Sequence, residues 1–219
     1  LEVVVFDSHR AAVPQGFLAI EAAKKIIAGV SFEDIVAYVN SQWKKTGICA
    51  ALDTLQYLAQ NGRIGKAANY VGSALKILPI LHLNDDGVVA PATVLRNKAK
   101  IIPTIINRII NETKGYTYLK LGVMQADAYE AAEELREEVK KRFPDYHEEI
   151  RIDEFTPVMG AHTGPGLIGL GYLYESLHFL RGKLEMSSAQ YWIGMTFILM
   201  VLFAYLLGSI PSGYLPGKW

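Results

Sequence analysis

Gly160-Ala161-His162-Thr163-Gly164-Pro165-Gly166 is the stretch whose residue types could do chemistry. Three glycines and a proline within seven residues disfavour both a helix and a paired strand, so the composition predicts a tight loop. Ile150 to Met159 before it reads as a strand, and Leu167 to Leu170 after it is apolar again. Backbone N–H groups left unpaired in such a loop, beside an imidazole and the Thr163 hydroxyl, suit a small anionic group. A strand exit that needs glycine only for its geometry accounts for the same seven residues, and both readings stand at this point. Two arginines stand at the ends of elements. Arg63 lies at a helix end within Gly62-Arg63-Ile64-Gly65, and Arg96 sits where a strand ends; a solvated arginine is the ordinary state of either. Asp7, Ser8 and His9 name the members of a hydrolytic triad, but three successive residues cannot converge as a triad does.

Those side chains need elements to hold them. Val3-Val4-Val5-Phe6 reads as a buried strand whose polar exit, Asp7-Ser8-His9-Arg10, falls where open α/β sheets place ligands. Pro14 suits the first turn of a helix with Phe17, Ile20, Ala23 and Ile27 on one face, stopped by Gly29. Ser31 caps a second helix, with Asp34 three residues on. Thr46 to Leu58 has a helical pattern of apolar residues closed by Asn61-Gly62, and Val71 to Leu75 reads as a further short helix. Lys76 to Leu83 and Val88 to Leu95 flank Asn84-Asp85-Asp86-Gly87, the signature of a hairpin. Ala99 to Asn111 is helical, Tyr116 to Val123 strand-like, and Asp127 to Phe143 a clear helix with a solvated charged face, ended by Pro144. Glu148 to Met159 then leads into the glycine-rich stretch. The order is that of an α+β fold, a mixed sheet covered on one face by helices.

Composition narrows the function. Twenty-two basic and 22 acidic residues balance to zero net charge, with no basic stripe, which argues against a nucleic-acid binder. The single cysteine, Cys49, excludes an intramolecular disulfide and a cysteine-built metal site, and makes a reducing, cytoplasmic compartment the default. Leu1-Glu2-Val3 opens within a strand pattern, without methionine or secretory signal, as a fragment would. Charge stops at Glu185 except for Lys218, and residues 191–210 are almost wholly apolar, long enough for one transmembrane helix.

Taken together, Val5-Phe6-Asp7-Ser8, the Leu58-to-Ile64 stretch ending in Gly-Arg-Ile, the hairpin running into Arg96 and His162-Thr163-Gly164-Pro165-Gly166 resemble the DegV family of bacterial fatty-acid-binding proteins. The likeness covers about residues 3–174. It implies two α/β domains around one long-chain fatty acid, whose carboxylate is presented to a separate fatty-acid kinase that makes acyl-phosphate for phospholipid synthesis. His162, with Arg63 and Arg96, would lie near that carboxylate or the kinase-docking face, with Thr163 beside them and Gly164 and Gly166 shaping the loop. Such a chain is a carrier, not an enzyme, and calls for no cofactor or metal. The family's first domain begins before Val3, so the expected division is residues 1–45 as a remnant of that domain and 46–174 as the second. A linker (175–190), the membrane helix (191–210) and a short tail (211–219) would follow.

Residues 186–217, with Ala204-Tyr205-Leu206-Leu207-Gly208-Ser209-Ile210-Pro211, resemble the first membrane helix of the PlsY-type glycerol-3-phosphate acyltransferases, which use acyl-phosphate. That family's other helices and motifs are absent from the sequence. Its N-terminus is extracytoplasmic, whereas Arg181 and Lys183 before the span favour an inside soluble part, so the expectation is two neighbouring reading frames joined as one. Two alternatives to a membrane-anchored carrier are a fragment of such an acyltransferase and a phosphate-binding or small-anion-binding domain.

Overall fold

The structure, a computed structural model, describes residues 3–71 and 77–176. The described residues up to Glu175 form one compact unit. The expected membrane span at 191–210 and the acyltransferase-like tail lie outside the described residues. So does all but the first residue of the short helix expected at Val71 to Leu75. Among the described residues no helix is long and apolar enough to cross a membrane.

Helix α1 (Ala12–Ile27) leads to α2 (Phe32–Gln42), where the Ser31 side chain accepts the Asp34 N–H as the capping pattern predicts. Strand β1 (Thr46–Ala51) follows, then the short helix α3 (Gln56–Gln60). The hairpin of β2 (Leu78–Leu83) and β3 (Val89–Leu95) turns at Asn84, whose side-chain oxygen accepts the N–H groups of Asp86 and Val88. Next come α4 (Ile101–Glu112), β4 (Tyr116–Ala126), α5 (Tyr129–Arg142), β5 (Ile152–Glu154), α6 (Pro157–Thr163) and β6 (Leu167–Ser176). The sheet order is β3-β2-β1-β6-β4-β5. β1 runs antiparallel to β2 and β6, while β5 lies parallel to β4, so the sheet is mixed.

The pleat sorts side chains onto two faces. Cys49, Ile80, Leu121, Val123 and Leu170 join the Ile105-Ile106-Ile109 stripe of α4 and the Leu135-Val139 stripe of α5. Ala50, Leu52, Leu81, Met124 and Leu167 face the opposite way, toward Leu55, Leu58 and the start of α1 at Val13. Helices therefore cover both faces, not the single face expected.

Three other expectations are corrected. Residues 3–6 form no strand: Val5 is 92% exposed and pairs with no strand among the described residues. Thr46 to Leu58 is not one helix; its first half is β1, a central strand buried on both sides and so lacking the alternation that marks half-buried strands. Glu148 to Met159 is a strand only over β5, and Pro157 opens α6 with Thr156 as its N-cap.

One partly buried polar pair carries a pH prediction. The Tyr172 hydroxyl donates to Glu112 Oε2 at 2.6 Å, and Glu112 pairs with Arg108 at 2.7 Å. Burial first, and the neighbouring carboxylate second, push the Tyr172 phenol well above its ordinary value. A raised folded-state pKa gives stability that is complete below the unfolded phenol value of about 10 and falls as pH rises beyond it. NMR of labelled tyrosine is expected to show Tyr172 still protonated while exposed tyrosines ionise. Titration of Tyr172 at an ordinary phenol pH in the folded chain would contradict this.

Candidate functional site

A cavity of about 460 Å³ lies against the β1 and β2 face of the sheet, within the size range of small-molecule sites. Ile48 and Ala50 of β1, and Leu52 just past its end, line it at alternate positions, a span of roughly 13 Å at the ordinary rise of a strand. Leu58 of α3, Leu81 of β2 and Phe155 add further apolar wall. The lining is dominated by hydrocarbon, with polar groups concentrated near its two ends.

At one end stand His162 and Thr163, on the last turn of α6. They reach this point because β6 begins just beyond, where Ile168 pairs with Ala51 at the end of β1. The Asn61 amide, donating to the Ala161 carbonyl at 3.1 Å, ties the end of α3 to α6. His162 Nδ1 is buried and has no hydrogen-bond partner among the described residues. A buried imidazole nitrogen without a partner costs free energy, and a bound ligand's oxygen would remove that cost. Thr163 is less available, since its hydroxyl already donates to the Met159 carbonyl at 3.1 Å. Arg63 also lines the cavity, and its guanidinium forms no ion pair among the described residues.

The glycine-rich stretch is the principal correction at the site. Ala161 to Thr163 continue a helix, and Gly160 lies inside it, where glycine costs only about 1 kcal/mol relative to alanine. The loop proper is Gly164 to Gly166. Its N–H groups are not held out for an anion: Gly164 donates to the Gly160 carbonyl at 2.7 Å and Gly166 to the Ala126 carbonyl at 2.8 Å. Gly164 and Gly166 sit outside the cavity lining and instead turn the chain from α6 into β6, both at positive φ. Arg96, just past β3, is exposed and outside the lining as well. The structure thus brings together His162, Thr163 and Arg63 and leaves Arg96 apart.

Sequence reasoning flagged the Asp7–Arg10 segment but not the role of Arg10. This side chain is only 4% exposed and reaches the opposite end of the cavity. Its Nε donates to the Thr46 carbonyl at 2.5 Å, and Nη1 donates to the carbonyls of His9 at 3.0 Å and Asn84 at 3.1 Å. Nη2 lies 3.5 Å from Asp85, and the guanidinium lies 5.3 Å from the Trp43 ring centroid. His9 and Ala12 on either side adopt positive φ, an uncommon backbone for residues that carry a Cβ. Among the described residues, no cluster of acidic, histidine or cysteine side chains could hold a metal ion.

A mixed six-stranded α/β fold with an apolar cavity over its central strand, polar at both ends, is the class that the geometry defines. Residues 1–175 match the family profile described as "Uncharacterised protein, DegV family", and the chain belongs to that family. A DegV domain-containing protein of Clostridium acetobutylicum is 32% identical over 174 residues, 80% of this chain and 60% of that protein. The crystal structure of DegV from Bacillus subtilis, described as a fatty acid binding protein, superposes with a TM-score of 0.65 at 30% identity, covering 78% of this chain and 60% of that one. A fatty acid binding DegV family protein from Streptococcus agalactiae gives a TM-score of 0.73 at 23% identity over 80% of this chain and 61% of its own, a likeness of fold alone. The chain spans about 60% of the length of these relatives.

Proposed function

We propose that this chain binds a long-chain fatty acid in the cavity over β1, tail among Ile48, Ala50, Leu52 and Leu81 and carboxylate at His162. The observation that carries this reading is the unpartnered His162 Nδ1 at one end of an otherwise apolar cavity. Roughly a dozen buried methylenes at ~0.8 kcal/mol each give on the order of 10 kcal/mol gross, so the tail drives affinity. The head group needs only orientation, which an imidazole N–H and the nearby Arg63 supply. Gly164 and Gly166 contribute by fixing where α6 ends, and Thr163 by packing beside the imidazole. Arg96, exposed at the end of β3, belongs in this reading to an outer face where a separate fatty-acid kinase would dock and convert the carboxylate to acyl-phosphate. Residues 1–45 would then belong to a first domain and 46–174 to a second, with 191–210 holding the carrier at the membrane. No covalent step falls on this chain.

The Bacillus subtilis relative described as a fatty acid binding protein supports the ligand class. A small-anion cradle is disfavoured, because the N–H groups of Gly164 and Gly166 are already engaged. Titration of the full chain with a fluorescent long-chain fatty acid tests the proposal. Saturable binding displaced by oleate and not by inorganic phosphate is expected. Displacement by phosphate as effective as that by oleate would favour the anion site instead.

A further inference from the structure

On the Arg10 side the cavity abuts a second, polar cavity of about 470 Å³, and the two share Arg10, Ile48, His82 and Leu83 in their walls. Beyond this shared wall lie Arg108, Glu112, Asp85 and Asp86, so the two spaces differ sharply in polarity. The Arg10 guanidinium is fixed at the boundary by the Thr46, His9 and Asn84 carbonyls, by Asp85 and by the Trp43 ring. Thr46 opens β1, whereas His162 sits where β1 ends, so the two polar groups stand at opposite ends of the same strand.

Resting on the fatty-acid reading above, we propose that Arg10 is the end stop of the cavity and fixes the longest tail that the chain accepts. A head group anchored at His162 sends its tail along Ile48-Ala50-Leu52 toward Arg10. A terminal methyl can approach the guanidinium only as far as its held position permits. That position is rigid, because moving the side chain would strip a nearly buried cation of at least three hydrogen bonds at once. The stop therefore acts on tail length and leaves the head group untouched. His9 before it and Ala12 at the start of α1, both at positive φ, shape the loop that carries the side chain across the start of β1.

Competition by saturated fatty acids of graded length on the full chain, before and after substitution, tests the proposal. In the native chain affinity is expected to rise with each methylene up to a limit and then drop. With Arg10→Ala the two cavities join, and the limit moves to longer tails; two further buried methylenes correspond to a gain of about tenfold for acids beyond the native limit. Ile48→Phe, which fills the same end with Arg10 intact, should move the limit to shorter tails and keeps the test usable if Arg10→Ala fails to fold. An unchanged limit in either folded variant overturns the end stop while leaving fatty-acid binding in place. A native chain that takes up no fatty acid of any length removes the carrier reading, and the end stop with it.

Discussion

His162→Ala is expected to weaken fatty-acid binding by on the order of tenfold to a hundredfold, the range for losing one hydrogen bond to a charged group. The reasoning starts from an asymmetry. His162 Nδ1 is buried and makes no hydrogen bond among the described residues, so alanine removes nothing seen to hold the fold together. Alanine also has the higher helix propensity at this position in α6. Stability should stay within about 1 kcal/mol of the native chain while affinity drops, a split that a purely structural histidine would not produce. His162→Asn, whose amide nitrogen stands as many bonds from Cβ as Nδ1 does, should recover part of the loss. Isothermal titration with oleate reads affinity, and thermal unfolding reads stability. Undiminished affinity in the alanine variant would remove His162 from the head-group site.

Gly164→Ala is expected to have the largest effect on stability. Gly164 sits at φ +74° and ψ 174°, a backbone conformation open essentially only to glycine. A Cβ placed there would run into the Tyr57 ring, which packs directly over the position. Strain of roughly 1–3 kcal/mol is thus joined by displacement of an aromatic side chain that helps seat α3 against α6, for a total of about 3 kcal/mol or more. For a domain of this size that corresponds to a fall in Tm of roughly 6–12 °C. Because the same turn sets the end of α6, ligand affinity should fall as well. An unchanged Tm would show that the α6–β6 turn tolerates a side chain.

The contrast between these two residues also shows how far the site was legible in sequence. His162 stood out by type, set in a run of glycines, and the structure puts it in the cavity wall. Of the two readings open for its glycines, the geometric one fits the structure, because an N–H count in sequence cannot tell which donors find carbonyls. The acceptors, Gly160 and Ala126, are settled by helix and sheet packing. The Thr156-Pro157 pair was a usable signal for α6, a capping residue followed by proline, but the expectation of a strand running to Met159 masked it.

Elements with one exposed face were readable. The alternation of alanine and leucine against glutamate in α5, the Ser31–Asp34 cap of α2 and the Asn84–Gly87 turn each carry their own local reason. Strand β1 was not readable. Ile48, Leu52, Leu55 and Leu58 recur at helical spacing, yet Thr46 to Ala51 is a strand because α1 and α4 cover its two faces. Arg10 was hidden for a similar reason: three of its partners are carbonyls at 9, 46 and 84, and only the folded chain brings the last two within reach.

Mass spectrometry of lipid extracted from the full chain after expression in bacteria is the most direct test of fatty-acid carriage. The expected result is a long-chain fatty acid bound to the native chain at a single site and largely lost from His162→Ala. A folded native chain that carries no fatty acid, and takes none up when oleate is supplied, would contradict it.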